Sequence, residues 1–205
     1  GFPPPMAERI INVAVAKKKR SVMMKAFALL HGMNEEIHTS RGRKMMMKAM
    51  DYGDEFATAY CRFHQWTQHS DRKPAVERFR VLAEAGDTYA MYYFGHCLHH
   101  GSYVERSPEL AVKWYTLAAE SGHSSAQTTL GWCYSCGFGL PRKSTKDAIK
   151  WYMKAAKQGE VNAFSNLSSC YEFGLGVTKN LTLAAGWLKK AAGLGSLAAR
   201  YRLGE

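Results

Sequence analysis

The sequence has no long hydrophobic run. The longest apolar stretch near its start is IINVAVA, residues 10–16, and the basic run KKKR follows it directly. A membrane-spanning helix needs about 20 consecutive apolar residues. We therefore expect no membrane span in this chain of 205 residues.

Cysteine is scarce, and the count of five is odd. Small secreted domains that depend on disulfides have even numbers of cysteines in much shorter chains. The cysteine content therefore favours a reducing compartment.

The short motifs of common enzyme classes are also missing. There is no P-loop, dinucleotide-binding fingerprint, H-E-x-x-H or G-x-S-x-G sequence. His96, His99 and His100 stand at helical spacings, but no carboxylate or nucleophile accompanies them at a linked spacing. We predict a non-catalytic protein that needs no cofactor.

Positive charge is abundant and unevenly distributed. The net charge is +11, and the first fifty residues contain ten Lys or Arg but three acidic residues. This distribution favours polyanionic partners, of which RNA is the commonest and acidic protein or lipid surfaces are the alternatives.

Three basic clusters are candidate binding sites for an RNA backbone or another partner. The residues are Lys17, Lys18, Lys19 and Arg20; Arg41, Arg43 and Lys44; and Lys150, Lys154 and Lys157. Gly42 and the preceding Thr39 and Ser40 predict an exposed loop for the second cluster. The third cluster has the spacing of one helix face, for which a solvated surface is the alternative. Contacts to RNA would be to phosphate, because no signature for base recognition is present.

The last 120 residues repeat one pattern every 36 or 37 residues. Residues 86–122, 122–159 and 159–195 superpose, and each segment has glycine, alanine and tryptophan at matching positions, with Phe94, Leu130 and Leu167 at a further shared position. We predict that the repeat core includes Trp114, Trp151, Trp187, Leu130, Leu167, Tyr134 and Tyr171.

Each repeat predicts two antiparallel helices. Apolar positions recur at spacings of 3, 4 and 7, and glycine follows each run. Ser107, Ser144 and Asn180 stand seven residues before the tryptophans, where they would cap the second helices. We expect stacked hairpins to share one continuous hydrophobic interior from Gly86 onward, with the tryptophans filling the gaps between units.

The motif resembles that of Sel1-like repeats, which are related to tetratricopeptide repeats. The pattern A-x-x-x-L-G-x-x-Y, G-x-G, A-x-x-W and A-A-x-x-G is complete between Ala126 and Gly159. The following repeat departs from it at Ser168, and the preceding repeat has Tyr103 in place of the second loop glycine. The resemblance implies an all-α, right-handed α-solenoid with a basic helical N-terminal extension.

We divide the chain into three regions. Residues 1–50 form the basic extension with one or two helices, residues 51–85 a degenerate helical repeat, and residues 86–205 three Sel1-like repeats with the start of a further helix. Anchoring the degenerate repeat on Gly53 or on Cys61 gives registers that differ by three residues.

Cys97, Cys133 and Cys170 share one repeat position, which favours small side chains packed between helices. A zinc site is the alternative. Cys97 and His100 are three residues apart on one predicted helix, and Cys133 and Cys136 are three apart on the next. The four side chains have the number and spacing of zinc ligands.

The resemblance implies a scaffold that binds other protein subunits. Together with the basic N-terminal region and a start at Gly1 instead of Met, it leads us to expect a subunit of a large organellar ribonucleoprotein, most naturally a mitochondrial ribosome in the mitochondrial matrix. The alternative is a free-standing, cytoplasmic adaptor for a protein or peptide client that does not contact RNA.

Overall fold

The computed structural model describes residues 18–27, 39–65 and 72–204, and these residues contain helices and turns but no strands. The helices are α1 (18–27), α2 (Thr39–Asp51), α3 (Glu55–Phe63), α4 (Arg72–Glu84), α5 (Thr88–His100), α6 (Pro108–Glu120), α7 (Ser124–Cys136), α8 (Thr145–Lys157), α9 (Val161–Phe173), α10 (Leu181–Gly193) and α11 (Leu197–Leu203). The predicted all-α solenoid is confirmed.

The helices from α3 onward pack as successive hairpins. Hairpin 1 is α3 with α4, hairpin 2 is α5 with α6, hairpin 3 is α7 with α8, and hairpin 4 is α9 with α10. The most extensive helix contacts lie within hairpins 2, 3 and 4, and each second helix also packs on the first helix of the following unit. This neighbour-to-neighbour packing is typical of a repeat solenoid.

The second helices begin where the capping residues predict. The side chains of Ser107, Ser144 and Asn180 accept hydrogen bonds from the backbone N–H groups of Leu110, Asp147 and Leu183. Each bond satisfies a donor that the first helical turn would otherwise leave without a partner.

The predicted core residues lie at two depths. Leu130 and Leu167 are fully buried, whereas Trp114, Trp151 and Trp187 are partly buried and pack against the edge of the core, as Tyr134 does. Tyr171 is also only partly buried. The tryptophans therefore contribute to the core from its edge. The deeply buried position is the residue after each tryptophan, which is Tyr115, Tyr152 or Leu188.

Close packing explains the departure at Ser168. A Cβ atom on Gly131 would lie 2.6 Å from Cε1 of Tyr152, so hairpin 3 has no room for a side chain there. Gly95 faces Tyr115 in the same way in hairpin 2. In hairpin 4 the smaller Leu188 takes the place of the tyrosine, and serine takes the place of the glycine.

The second loop glycine packs against the preceding hairpin. Gly139 has a φ of +63°, and a Cβ there would overlap the carbonyl oxygen of Pro108, which begins α6. Tyr103, at the same position in hairpin 2, keeps a φ of +60° and has an exposed side chain. The loop conformation is therefore retained without glycine, in a backbone region that other residues rarely adopt.

The structure decides the register of hairpin 1. Asp54 caps α3 directly after Gly53, as Asp87 caps α5 directly after Gly86. Counting from the caps, Cys61 corresponds to Leu130, so the register anchored on Gly53 holds and the one anchored on Cys61 does not. Hairpin 1 is thus three residues shorter than the period, and Cys61 fills a leucine position in the core.

The buried side chains form two clusters, one from α1 to α7 and one from α8 to α11, and Tyr134 packs against both. Tyr134 therefore joins the two parts of the interior, and a buried polar contact lies where the N-terminal ends of α7 and α9 meet. There the Oε2 atom of Glu160 accepts hydrogen bonds from the hydroxyls of Ser124 (3.3 Å) and Ser125 (3.0 Å).

Every helix among the described residues is too short or too polar to span a lipid bilayer.

Candidate functional site

The first helices of hairpins 2 and 3 present a cluster of rings near their C-terminal ends. We call His96, His99, His100, Trp132 and Phe138 the aromatic patch. His96 and Trp132 lie at equivalent positions, nine residues after the caps of α5 and α7, and Phe138 follows the end of α7. Adjacent hairpins therefore place these rings side by side.

His99 is the centre of the aromatic patch. Its ring stacks on His100 with 4.3 Å between centroids and on Trp132 with 5.4 Å, and it lies 4.1 Å from Phe138. The hydroxyl of buried Tyr115 lies 3.4 Å from Nδ1 of His99. The patch thus rests on the core of hairpin 2 and is held in a defined geometry.

Arg106 closes one side of the aromatic patch. Its Nε donates a hydrogen bond of 3.1 Å to the backbone oxygen of His99, and its guanidinium lies 6.0 Å from the centre of the Phe138 ring. A cation at this distance from an aromatic face is weakly attracted to it. The loop after α5 is therefore tied to the loop after α7.

His96 and His99 favour the uncharged form. Burial, followed by the neighbouring His100 and His99, lowers the pKa of His96 to about 4. Burial, His100 and Arg106 lower the pKa of His99 as well. Both rings are therefore neutral at physiological pH. The exposed part of Trp132 makes the patch suited to apolar and aromatic groups of a partner.

Sequence reasoning did not identify the aromatic patch. The signal was the position of Trp132, which lies on a first helix outside the repeating tryptophan column and nine residues after its cap. The side chain at that position is 40% exposed, and an exposed tryptophan is a common anchor in protein interfaces.

The predicted basic residues of the N-terminal region have different roles. Lys17 lies outside the described residues. Lys18 lies 5.9 Å from the centre of the Tyr52 ring, and Nζ of Lys19 lies beside Gly53. Arg20 forms an ion pair of 2.8 Å with Asp87. Part of this cluster therefore fixes α1 to the rest of the protein.

The loop predicted around Gly42 is wrong, because residues 39–51 form α2 and Gly42 is buried inside it. Arg41, Arg43 and Lys44 are nonetheless exposed, and Lys48 is exposed one turn further on. We call these four residues the basic α2 surface.

The lysine stripe of hairpin 3 contacts its own helix. Lys150 forms an ion pair of 2.8 Å with Asp147, and Nζ of Lys154 lies 4.0 Å above the ring of Trp151. Lys157 is exposed near the end of α8. These contacts agree with a solvated face at least as well as with a binding stripe.

The structure does not assemble the zinc set. Cys97 and Cys133 are buried in the core, whereas His100 and Cys136 are exposed. Within the described residues, no three His, Cys, Asp or Glu side chains converge to hold a metal ion. Burial raises the pKa of the Cys97 and Cys133 thiols to about 12, which opposes the thiolate form that zinc requires. The four side chains therefore do not form a zinc site in this structure.

The Sel1 repeat family matches residues 88–123, 124–160 and 165–196, which together make up more than half of the chain. The chain belongs to the Sel1 repeat family. This family forms scaffolds for protein interaction and is not typically enzymatic. The first two matched segments coincide with hairpins 2 and 3, and the third lies within hairpin 4 and the turn that follows it.

Two solved structures show the same architecture. A Sel1 repeat protein from Oxalobacter formigenes is 26% identical, with a TM-score of 0.69 over 91% of this chain and 77% of that one. The antigen c5321 from uropathogenic Escherichia coli strains is also 26% identical, with a TM-score of 0.68. That alignment covers 98% of this chain but 43% of c5321, so the chain spans less than half of that protein.

The immunity protein PA5088 from Pseudomonas aeruginosa is 21% identical, with a TM-score of 0.58 over 89% of this chain and 67% of that one. At this level of identity the likeness concerns the fold. No curated protein matches the chain.

Proposed function

We propose that the chain is a non-catalytic scaffold whose aromatic patch binds a protein partner. The observation that carries the proposal is the partly exposed ring cluster around His99 and Trp132 on a Sel1 repeat solenoid. Aromatic rings supply much of the binding energy in protein interfaces, and a rigid support reduces the entropy lost on binding.

A matched pair of variants tests the aromatic patch. Trp132→Ser removes the exposed ring, and Leu117→Ser removes a side chain of similar exposure, 45% against 40%, from the second helix of hairpin 2. We expect Trp132→Ser to reduce co-purification of the partner at least about tenfold and Leu117→Ser to leave it unchanged. Circular dichroism checks that both variants fold. Equal retention of the partner by the two variants would remove the patch from the function.

We further propose that the scaffold is a subunit of an organellar ribonucleoprotein, with a mitochondrial ribosome in the matrix as the specific case. The support is the net charge of +11 and the four exposed cations of the basic α2 surface, since Lys and Arg side chains neutralise phosphates of a nucleic acid. The free-standing adaptor without RNA is the competing assignment.

Sedimentation of native lysate distinguishes the two assignments. A ribosomal subunit co-migrates with ribosomal particles, leaves that fraction after ribonuclease treatment and dissociates as salt rises. An adaptor stays in a small complex that is indifferent to nuclease. Replacing Arg41 and Lys44 with Gln should weaken only the first kind of association, and Lys146→Gln together with Lys179→Gln, two exposed lysines elsewhere, serves as the charge-matched control.

A further inference from the structure

Helix α1 contacts three successive hairpins at once. Its Phe27 ring lies 6.4 Å from Phe56 of α3, 4.7 Å from Tyr89 of α5 and 5.4 Å from His123, the cap of α7, between ring centroids. The helix therefore crosses the N-terminal ends of the first helices, where it lies like a bound ligand.

The contact is that of an amphipathic helix in a groove. Met23, Ala26 and Phe27 are fully buried, whereas Met24 and Lys25 on the other side are exposed. A spacing of three and four residues places the buried side chains on one face. The aromatic residues of the groove surround Phe27, which makes this residue the anchor.

Charge complementarity orients the helix. Nη1 of Arg20 lies 2.8 Å from Oδ2 of Asp87, and the guanidinium lies 4.9 Å from the centre of the Tyr89 ring. Asp54 occupies the equivalent cap in hairpin 1, and Arg20 counteracts the rise in pKa that burial causes there. The groove thus presents acidic caps to a basic helix, in a protein whose overall charge is strongly positive.

The described residues of α1 leave part of the groove open. A cavity of about 350 Å³ lies beside Arg20 and Met24 and is lined on the other side by Thr88, Tyr89, Ser124 and neighbouring residues. The cavity offers a partner helix contacts that the described residues of α1 do not make.

We propose that this groove, formed by Phe56, Asp87, Tyr89, Tyr93 and His123, is a binding site for a basic amphipathic helix of a partner protein, and that α1 occupies it in the isolated chain. We call it the α1 seat. The proposal deepens the proposed scaffold function, on which it rests, by naming a second binding surface and the chemistry of its partner. That partner has an aromatic anchor with a basic residue seven positions before it.

A peptide added in trans tests the α1 seat in the full chain. The probe is a fluorescein-labelled peptide of residues 14–30, and anisotropy measures its binding. In the wild-type chain the tethered α1 competes at an effective concentration of about a millimolar. We expect Phe27→Ala in the chain to raise the affinity for the peptide at least about tenfold, because the tethered helix loses its anchor. A chain with Arg20→Asp serves as a second way to weaken α1 if Phe27→Ala misfolds.

A charge exchange provides the specific control. Asp87→Arg, added to the Phe27→Ala chain, should abolish the gain in affinity for the wild-type peptide. A peptide that carries Arg20→Asp should bind this double variant with the higher affinity again. A scrambled peptide of the same composition should bind weakly to every chain. Three results would overturn the proposal. The wild-type chain and both weakened chains could bind the peptide equally, the scrambled peptide could bind as well as the native one, or the charge exchange could fail to restore binding.

The peptide test of the α1 seat can be distinguished from the Trp132→Ser test of the aromatic patch. If the α1 seat fails this test while partner binding still depends on Trp132, the scaffold function stands and the seat alone is rejected. If Trp132→Ser has no effect while the peptide binds as expected, the seat stands and the patch is rejected.

Discussion

Hairpin 3 and hairpin 4 have the same helix lengths and the same capping positions, yet they differ in the core and on the surface. Hairpin 3 packs Gly131 against Tyr152, whereas hairpin 4 places Ser168 and Leu188 at these positions. The repeat therefore conserves the volume of the pair and not the residue types.

Hairpins 3 and 4 differ more on their surfaces than in their cores. Nine residues after the cap, hairpin 3 has the exposed Trp132, whereas hairpin 4 has Ser169, and Glu172 nearby pairs with Arg202. Hairpin 2 resembles hairpin 3, with His96 at this position. The comparison shows that a common backbone places the aromatic patch on hairpins 2 and 3, and that the same position in hairpin 4 is polar.

The largest expected effect comes from filling the tight position of hairpin 3. Gly131→Ala places a Cβ 2.6 Å from the Tyr152 ring and 3.1 Å from the carbonyl oxygen of Ala148, and the buried ring cannot move aside. We expect the free energy of unfolding to fall by about 2–3 kcal/mol in urea denaturation. Gly186→Ala, on an exposed face of α10 with no atom near the new Cβ, should raise it by about 0.5–1 kcal/mol. Similar stability of the two variants would contradict the packing account.

The reverse experiment converts hairpin 4 into hairpin 3. Leu188→Tyr alone should lower the free energy of unfolding by about 2 kcal/mol, because the ring meets the Cβ of Ser168. Adding Ser168→Gly should recover at least about 1 kcal/mol of this loss, as expected for side chains in contact. A double-mutant cycle measures the coupling, and strict additivity would show that the two positions do not compensate each other.

The pH dependence of stability should differ between hairpins 2 and 4. The pKa of His96 is about 4 in the folded protein and about 6.5 in an unfolded chain, so the unfolded state binds the proton first. Stability should therefore fall as pH decreases from about 6.5 to about 4, by about 1–2 kcal/mol after allowance for solvent screening. His96→Asn should flatten that part of the profile. An unchanged slope would show that His96 is not the group responsible.

Glu160 of hairpin 4 should change the pH dependence of stability in the direction opposite to that of His96. Burial raises the pKa of its carboxyl, and the hydrogen bonds from Ser125, Asn162 and Ser124 oppose that rise. The folded state keeps the proton to higher pH than the unfolded state, so stability falls as pH increases above about 4.5. We expect this effect to be smaller than that of His96, because the hydrogen bonds stabilise the charged form. Glu160→Gln should remove it, and a profile identical to wild type would contradict the assignment.

The smallest expected change in the free energy of unfolding comes from replacing Tyr103 in the loop of hairpin 2. Tyr103 keeps the positive φ that glycine provides at the same position in the loops of hairpins 3 and 4, Gly139 and Gly176. Tyr103→Gly should raise the free energy of unfolding by about 0.5 kcal/mol, because it relieves the left-handed conformation. A loss of stability in Tyr103→Gly would show that the exposed ring makes a contact of its own.

The repeated part of the fold was predictable because its signals are local. Ser107, Ser144 and Asn180 act within one turn of their own positions, and the 36-residue period places the hairpins. The role of Arg20 was not predictable, because its partner Asp87 is 67 residues away and no periodic pattern connects them. The loop prediction at Gly42 failed because a glycine buried in α2 has the same local signature as one in a turn. The aromatic patch was missed because its rings come from two different repeats.

Site-specific photo-crosslinking in cells tests the central claim, that this scaffold binds its protein partner through the first helices of hairpins 2 and 3. A photo-crosslinking amino acid is placed at position 132 in one variant and at position 117 on the second helix of hairpin 2 in another. The account predicts a discrete protein adduct from position 132 and none from position 117. An adduct that forms only from position 117, or equally from both, would contradict it.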